Sequence, residues 1–110
     1  MTATTHPVVT DRLMLAARLR AAENLAVDYT QGKIGDLGTR LLALAPRLSP
    51  YAQQQRFETL VQAIQYRQDV HDGQITTGEV ERHLAHPDVL ADHAQQLVED
   101  ALADLVGGGL

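Results

Sequence analysis

The last third of the chain carries the pattern that most limits the possible folds. Between residues 88 and 106, apolar side chains recur every three or four positions, so they fall on one face of a helix. The opposite face is largely acidic. A helix with one apolar face is stable in water only when that face packs on other elements. The apolar face consists of Leu90, Ala94, Leu97, Val98, Ala101, Leu102 and Leu105.

Four other segments are predicted to be helical, and local residues mark where they start and stop. Gly32 follows the first segment, as expected for the residue just past a helix end. Asp36 is the predicted cap of the second segment, and Ser49-Pro50 opens the third with a cap residue and a Pro at the first helical position. No alternating run of β-branched residues indicates a strand. The predicted helices span about 10–31, 37–45, 50–71, 77–85 and 87–106.

The predicted fold class is therefore all-α, a compact bundle of about five helices with two long central and terminal helices and short connectors. A single helical domain would cover residues 10–106, between a flexible N-terminal arm (1–9) and a frayed C-terminal tail (107–110). A chain of 110 residues can bury a substantial core. With one Phe, three Tyr and no Trp, that core must be largely aliphatic.

Composition excludes several classes of protein. The chain has no Cys, which removes disulfides, thiolate catalysis and thiolate-bound metal centres. The sequence does not open with a basic segment followed by an apolar stretch, so we expect no secretory signal. The longest apolar run, Leu41 to Ala45, is far shorter than the roughly 18 residues of a membrane span. We therefore expect a soluble, cytoplasmic protein without membrane contact.

Charge is divided unevenly along the chain. Residues 1–67 hold eight Arg and Lys against five Asp and Glu, a balance of +3, whereas residues 68–110 hold one Arg against nine acidic residues, a balance of −8. This division favours head-to-tail contact between copies or binding to a basic partner. It is equally compatible with a mildly basic half and a solvated acidic helix. The acidic residues predicted to meet a partner are Asp92, Glu99, Asp100 and Asp104.

The predicted helix 50–71 has two apolar strips on nearly opposite sides. The stronger strip contains Phe57, Leu60, Val61 and Ile64, and the weaker strip contains Ala52, Thr59, Ala63, Tyr66 and Val70. Either this helix is central and touches neighbours on both sides, or the weaker strip contacts another chain. We predict that Ala63, Tyr66 and Val70 form part of a contact surface for a second protein.

The stretch that follows this helix resembles the second half of an EF-hand calcium-binding loop. With Gly73 at the sixth loop position, three oxygen-bearing residues take the fifth, ninth and twelfth positions, where such loops carry ligands. The first and third positions are occupied by Gln68 and Val70, which supply no carboxylate. The candidate ligands of this degenerate loop are Asp72, Thr76 and Glu79.

The same stretch is fully explained as a junction between two helices, which is the interpretation that we favour. Gly73 would end the preceding helix in a left-handed conformation. Thr76 and Glu79 have the spacing of a capping box, and Ile75 with Val80 forms the matching hydrophobic staple. No metal is required. The Gly-x-Ile pattern also occurs at residues 32–34, which is consistent with a duplicated helical hairpin.

No catalytic constellation is recognisable in the sequence. The five His residues lack a metal-binding spacing such as HExxH, and Pro87 interrupts the chain between His86 and His93. The one Ser in the chain, Ser49, is assigned as a helix cap. Paired acidic residues fall on predicted solvent faces. We therefore expect no enzymatic activity, no cofactor and no bound metal.

Two kinds of function remain. The first is a small non-enzymatic protein–protein interaction module, a homo-oligomeric adaptor or regulatory subunit that binds itself or another protein. The alternative is a DNA- or RNA-binding regulator that uses the Arg- and Gln-rich first two-thirds, since these residue types read base edges. Its contacts would include Arg47, Arg56 and Arg67. The net charge of −5 opposes this alternative, because phosphate binding requires a basic excess.

Overall fold

The computed structural model describes residues 7–74 and 87–108, and every regular element in them is helical. The helices are α1 (Pro7–Thr30), α2 (Leu37–Leu44), α3 (Pro50–His71) and α4 (Pro87–Leu102), and a π-helical turn (Ala103–Gly107) follows α4. These residues contain no strand, which confirms the all-α prediction. The predicted helix 77–85 lies outside the described residues. In the described part of the chain, no helix is both long enough and apolar enough to cross a membrane.

The long helices α1 and α3 end in the same hydrogen-bond pattern. Gly32 and Gly73 both have φ of 72°, the left-handed conformation that glycine adopts without steric cost. In each case the glycine N–H donates to the carbonyl three residues earlier, and the next N–H donates to the carbonyl five residues earlier. The pairs are Gly32–Tyr29 (3.0 Å), Lys33–Asp28 (3.0 Å), Gly73–Val70 (3.2 Å) and Gln74–Asp69 (2.7 Å). Both ends are Schellman motifs, which confirms the role predicted for the two glycines.

The N-terminal caps of α2 and α3 differ. Ser49 Oγ accepts a hydrogen bond from the Ala52 N–H at 3.1 Å, and Pro50 takes the first position of α3, as predicted. Asp36 occupies the N-cap position of α2, as predicted, but its carboxylate makes no capping hydrogen bond. Capping side chains sit on extended backbone, which aims them at the first turn. Asp36 instead has φ of 55° and ψ of 41°.

Helix α3 lies at the centre of the molecule, and α1, α2 and α4 all pack against it. Its Phe57 is 1% exposed and meets the ring of Tyr29 on α1 edge-on, with 5.3 Å between ring centroids. The rest of the core is aliphatic, as the composition requires. The core cluster contains Ala22, Leu25, Ala26, Leu41, Leu44, Ala45, Phe57, Leu60, Val61, Ala63, Ile64, Val98, Ala101, Leu102, Leu105 and Val106.

The apolar face predicted for the C-terminal segment is the face that α4 and the following turn bury. Six of its seven residues are buried, and Leu97, at the edge, is 38% exposed. The prediction continued an ordinary α-helix to about residue 106, but the backbone becomes π-helical from Ala103. A π-helical turn holds more residues than an α-turn. In this turn two consecutive side chains, Leu105 and Val106, are both fully buried.

Candidate interaction surface

The N-terminal half of α1 extends past the end of the helix on which α1 packs. The two helices are antiparallel, since later residues of α1 contact earlier residues of α3. Glu23 Oε2 lies 2.9 Å from Arg67 Nη1, and α3 ends at His71, four residues after Arg67. Leu19 lies four residues before Glu23 on α1, and because the helices are antiparallel it is the α1 residue beside the end of α3. The helical residues 7–18 therefore extend past the end of α3, over about 18 Å at 1.5 Å per residue, although Leu15 still packs against the core cluster.

Large apolar side chains are exposed on this projecting part of α1. Leu13 is 67% exposed and Met14 is 52% exposed. Leu13 lines a shallow groove of about 440 Å³ on the side of α1 that faces away from the core. We call this side the α1 outer face; it consists of Leu13, Ala16, Ala17, Arg20, Ala21 and Asn24. Exposed apolar side chains bordered by polar ones are typical of a surface that binds another protein.

Residues 12–22 of α1, which overlap the projecting part, are also basic. They contain Arg12, Arg18 and Arg20 and no Asp or Glu, although Asp11 directly precedes them. Arg12 and Arg20 are exposed, and among the described residues neither forms an ion pair. Arg18 is half-buried, and its Nη1 atom is buried without a hydrogen-bond partner in the described part of the chain. This end of α1 thus carries positive charge that its described neighbours do not neutralise.

The outward side of α4 has the opposite charge. Asp92, Gln96 and Asp100 form an exposed row at four-residue spacing, and Glu99 lies beside them. We call these four residues the α4 acidic face. Gln96 Nε2 donates to Asp100 Oδ1 at 2.8 Å. Over residues 7–74 and 87–108, no Arg or Lys forms an ion pair with these carboxylates. Three of the four acidic residues predicted to meet a partner therefore share one exposed face.

The fourth predicted acidic residue and two of the predicted nucleic-acid contacts have partners within the chain. Arg56 Nη1 lies 3.4 Å from Asp104 Oδ1 and donates to the Asp104 carbonyl at 2.8 Å, which joins α3 to the π-helical turn. Arg67 pairs with Glu23 and so joins α3 to α1. Arg47 is exposed between α2 and α3. The structure thus gives Arg56 and Arg67 a role in holding helices together.

The weaker apolar strip of α3 packs against α4 in the same molecule. Ala63 is 8% exposed and belongs to the core. Tyr66 meets the ring of His93 edge-on, with 6.4 Å between centroids, and Val70 lines a cleft together with Ala91. The helix is therefore central, the first of the two alternatives that its sequence left open. Contact with α4 explains the apolar character of the strip, and Ala63 is not exposed for the intermolecular contact predicted for it.

The predicted calcium-loop ligands are described only in part. Asp72 is exposed, and both of its carboxylate oxygens accept hydrogen bonds from Gln68 Nε2 at 3.1 Å. Thr76 and Glu79 lie outside the described residues, and so does the predicted capping box. Within residues 7–74 and 87–108, no group of three or more His, Asp or Glu side chains is arranged to hold a metal ion.

The α1 outer face was not predicted from the sequence. Ala22, Leu25 and Ala26 recur at helical spacing and form the buried side of α1. Nearer the N-terminus, however, residues 13–17 (LMLAA) are apolar all around the helix. A helix that is apolar on all sides is expected to be covered on all sides. This all-apolar turn near the start of α1 was therefore the available signal that one apolar side of the helix is left uncovered by the rest of the described chain.

No known protein family, no curated protein and no solved structure matches this chain. Its function is therefore inferred from the α1 outer face and the α4 acidic face.

Proposed function

We propose that the chain is a small, non-enzymatic protein–protein interaction module of the cytoplasm, acting as a self-associating adaptor or regulatory subunit. The observation that carries this proposal is the exposure of Leu13 and Met14 on a part of α1 that extends past the end of α3. A single exposed apolar side chain is ordinary on a protein surface. Here two large ones adjoin a row of alanines, and a helix of a partner can lie against such a face.

Burial of the α1 outer face together with the neighbouring Met14 would supply part of a binding free energy. Fully burying a Leu or Met side chain contributes about 1.5–3 kcal/mol, so Leu13 and Met14 together provide a few kcal/mol. A micromolar complex corresponds to about 8 kcal/mol. The alanines of the face allow a partner backbone to approach closely, because their side chains end at Cβ. Arg20 and Asn24 supply the polar groups that usually surround an apolar contact. The face suits a weak and reversible contact.

Two features support the non-enzymatic part of the proposal. The chain has no Cys, and its one Ser is the N-cap of α3. An activated nucleophile needs a general base within hydrogen-bonding reach. Ser49 Oγ instead accepts a hydrogen bond from the Ala52 backbone N–H, which is a structural role.

The test compares partner capture by three immobilised forms of the full chain: the wild type, Leu13→Glu/Met14→Glu, and the control Tyr51→Glu. Tyr51 is 74% exposed near the start of α3, at the opposite end of that helix from the projecting part of α1. Each form is incubated with the purified wild-type chain and, separately, with a lysate of its source cells. We expect the wild type and the control to retain the same partner and the double variant to lose it.

Equal retention by all three forms would contradict the proposal. Circular dichroism must first show the same helix content in each form, so that loss of binding is not loss of folding.

A further inference from the structure

We propose that the partner of the α1 outer face is the α4 acidic face of a second copy of this chain. This inference rests on the proposed function, because it uses the same exposed side of α1 and names what covers it. It is carried by the opposite charges of the two faces and by the matched spacing of those charges along their helices.

The charged residues of the two faces are spaced alike. Arg20 of the α1 outer face and Arg12 at its edge lie eight residues apart, as do two aspartates of the α4 acidic face, and in each case an uncharged residue lies midway between them. At 1.5 Å per residue, each charged pair spans about 12 Å. When two such helices lie side by side, in either direction, both arginines can face an aspartate at once. The residues are Arg12, Ala16 and Arg20 on α1, and Asp92, Gln96 and Asp100 on α4.

Within residues 7–74 and 87–108, neither face is neutralised by an ion pair. The two ion pairs formed among the described residues use other side chains, and residues 12–22 contain three Arg and no acidic residue. Residues 87–108 contain five acidic residues and no Arg or Lys. Helices α1 and α4 both pack on α3 with these faces turned outward. Among the described residues, no ion pair joins the two faces of one copy, so both remain available to a second copy.

Apolar contact would accompany the charges. Val89 on α4 is 48% exposed and lies one turn before Asp92, and Leu13 follows Arg12 on α1. Burial of Leu13 and Val89 between the helices would provide affinity. The complementary charges would select the partner and accelerate association at low salt.

Each copy carries both faces, so two copies can make the contact either once or twice. If both contacts form between the same two copies, the product is a closed dimer; otherwise copies add head-to-tail. The same residues are used in both cases, and charge variants act on both in the same way.

The test uses two charge-reversal variants of the full chain, Arg12→Glu/Arg20→Glu and Asp92→Arg/Asp100→Arg. Light scattering after size exclusion measures mass at about 0.01 M salt, where the Debye length is about 30 Å, and at about 1 M, where it is about 3 Å. We expect the wild type to associate at low salt and to dissociate at high salt. In each variant alone, association should be weakened by roughly tenfold or more, because attraction between the two faces becomes repulsion.

Mixing the two variants gives the sharpest result. The reversed α1 face of the first variant complements the reversed α4 face of the second, and the two unaltered faces also complement each other. The mixture should therefore regain the mass of the wild type. Because an unfolded variant could not restore association, this result would also show that both variants are folded. The matched controls Arg40→Glu/Arg47→Glu and Glu58→Arg/Asp69→Arg change the charge equally at exposed positions outside both faces. They should associate like the wild type.

A wild type that stays monomeric at low salt overturns this inference, and so does a mixture that stays monomeric while the wild type associates. The proposed function fails on a different result, namely that Leu13→Glu/Met14→Glu keeps every partner of the wild type. A monomeric wild type whose captured partner is lost in that variant would reject self-association and retain the interaction module.

Discussion

Gln53 is a polar side chain inside the core, with 5% of its surface exposed. Its Nε2 atom donates to the carbonyls of Ala45 (2.9 Å) and Leu48 (3.2 Å), which lie in the turn between α2 and α3. Gln53 thus fixes this turn against α3. Its position four residues before Phe57 places it on the stronger apolar strip of α3, unlike Gln54 and Gln55, but the sequence does not show which groups its amide would bond there. Burial depends on the neighbouring turn.

We expect Gln53→Ala to lower the free energy of unfolding by about 2–3 kcal/mol, because two hydrogen bonds to backbone carbonyls are lost in a buried place. Urea denaturation followed by circular dichroism measures this change. The control is Gln54→Ala, at the exposed neighbouring position, which should change the free energy by less than about 0.5 kcal/mol. Equal effects of the two substitutions would show that these hydrogen bonds contribute nothing.

At the scale of single elements, helix ends were the most predictable feature. The Gly32, Ser49 and Gly73 predictions depended on local backbone chemistry, and the structure confirms all three. Asp36 takes the predicted N-cap position, but its side chain makes no capping hydrogen bond because its backbone is left-handed, which its residue type alone does not determine. The neighbour of each helix face was less predictable. The weaker strip of α3 has the same pattern whether α4 or another chain covers it.

The two Schellman motifs make a prediction about glycine substitution. Gly32→Ala and Gly73→Ala should each destabilise the fold by about 1 kcal/mol or slightly more, because the left-handed conformation is costly for a residue with a Cβ. Gly35→Ala is the control: Gly35 lacks a positive φ, and no atom lies within 4 Å of the added Cβ. It should leave stability unchanged or raise it by up to about 1 kcal/mol. Thermal unfolding of the three variants checks the order.

At the scale of the whole molecule, the predicted charge polarity persists in three dimensions. Arg56–Asp104 joins the basic part to the acidic part, whereas Glu23–Arg67 lies entirely within the first 67 residues. Most of the charged side chains of the basic part and of the acidic part lie at the surface. The polarity could be predicted by counting residues. Its separation onto the α1 outer face and the α4 acidic face could not, because that depends on how far α1 projects past α3.

The end of the chain contributes to the core of the whole molecule. Leu105 in the π-helical turn is fully buried, so Leu105→Ala should lower the free energy of unfolding by about 2–5 kcal/mol through lost burial and an unfilled cavity. Leu97→Ala removes the same atoms from a site that is 38% exposed and should cost clearly less. Guanidinium denaturation of both variants measures the difference. A similar loss for both would mean that the turn is not part of the core.

The overhang of α1 also affects the rate at which parts of the molecule open. Residues 7–18 are helical but extend past the end of α3, and among residues 12–18 the apolar side chain that packs on the core cluster is Leu15. A helical segment of about twelve residues with so little packing is marginal in water. Its amide protons should exchange with deuterated water much faster than those of residues 20–30, and a bound partner should slow that exchange. Under the proposed function, the segment that recognises a partner is the segment whose folding the partner completes.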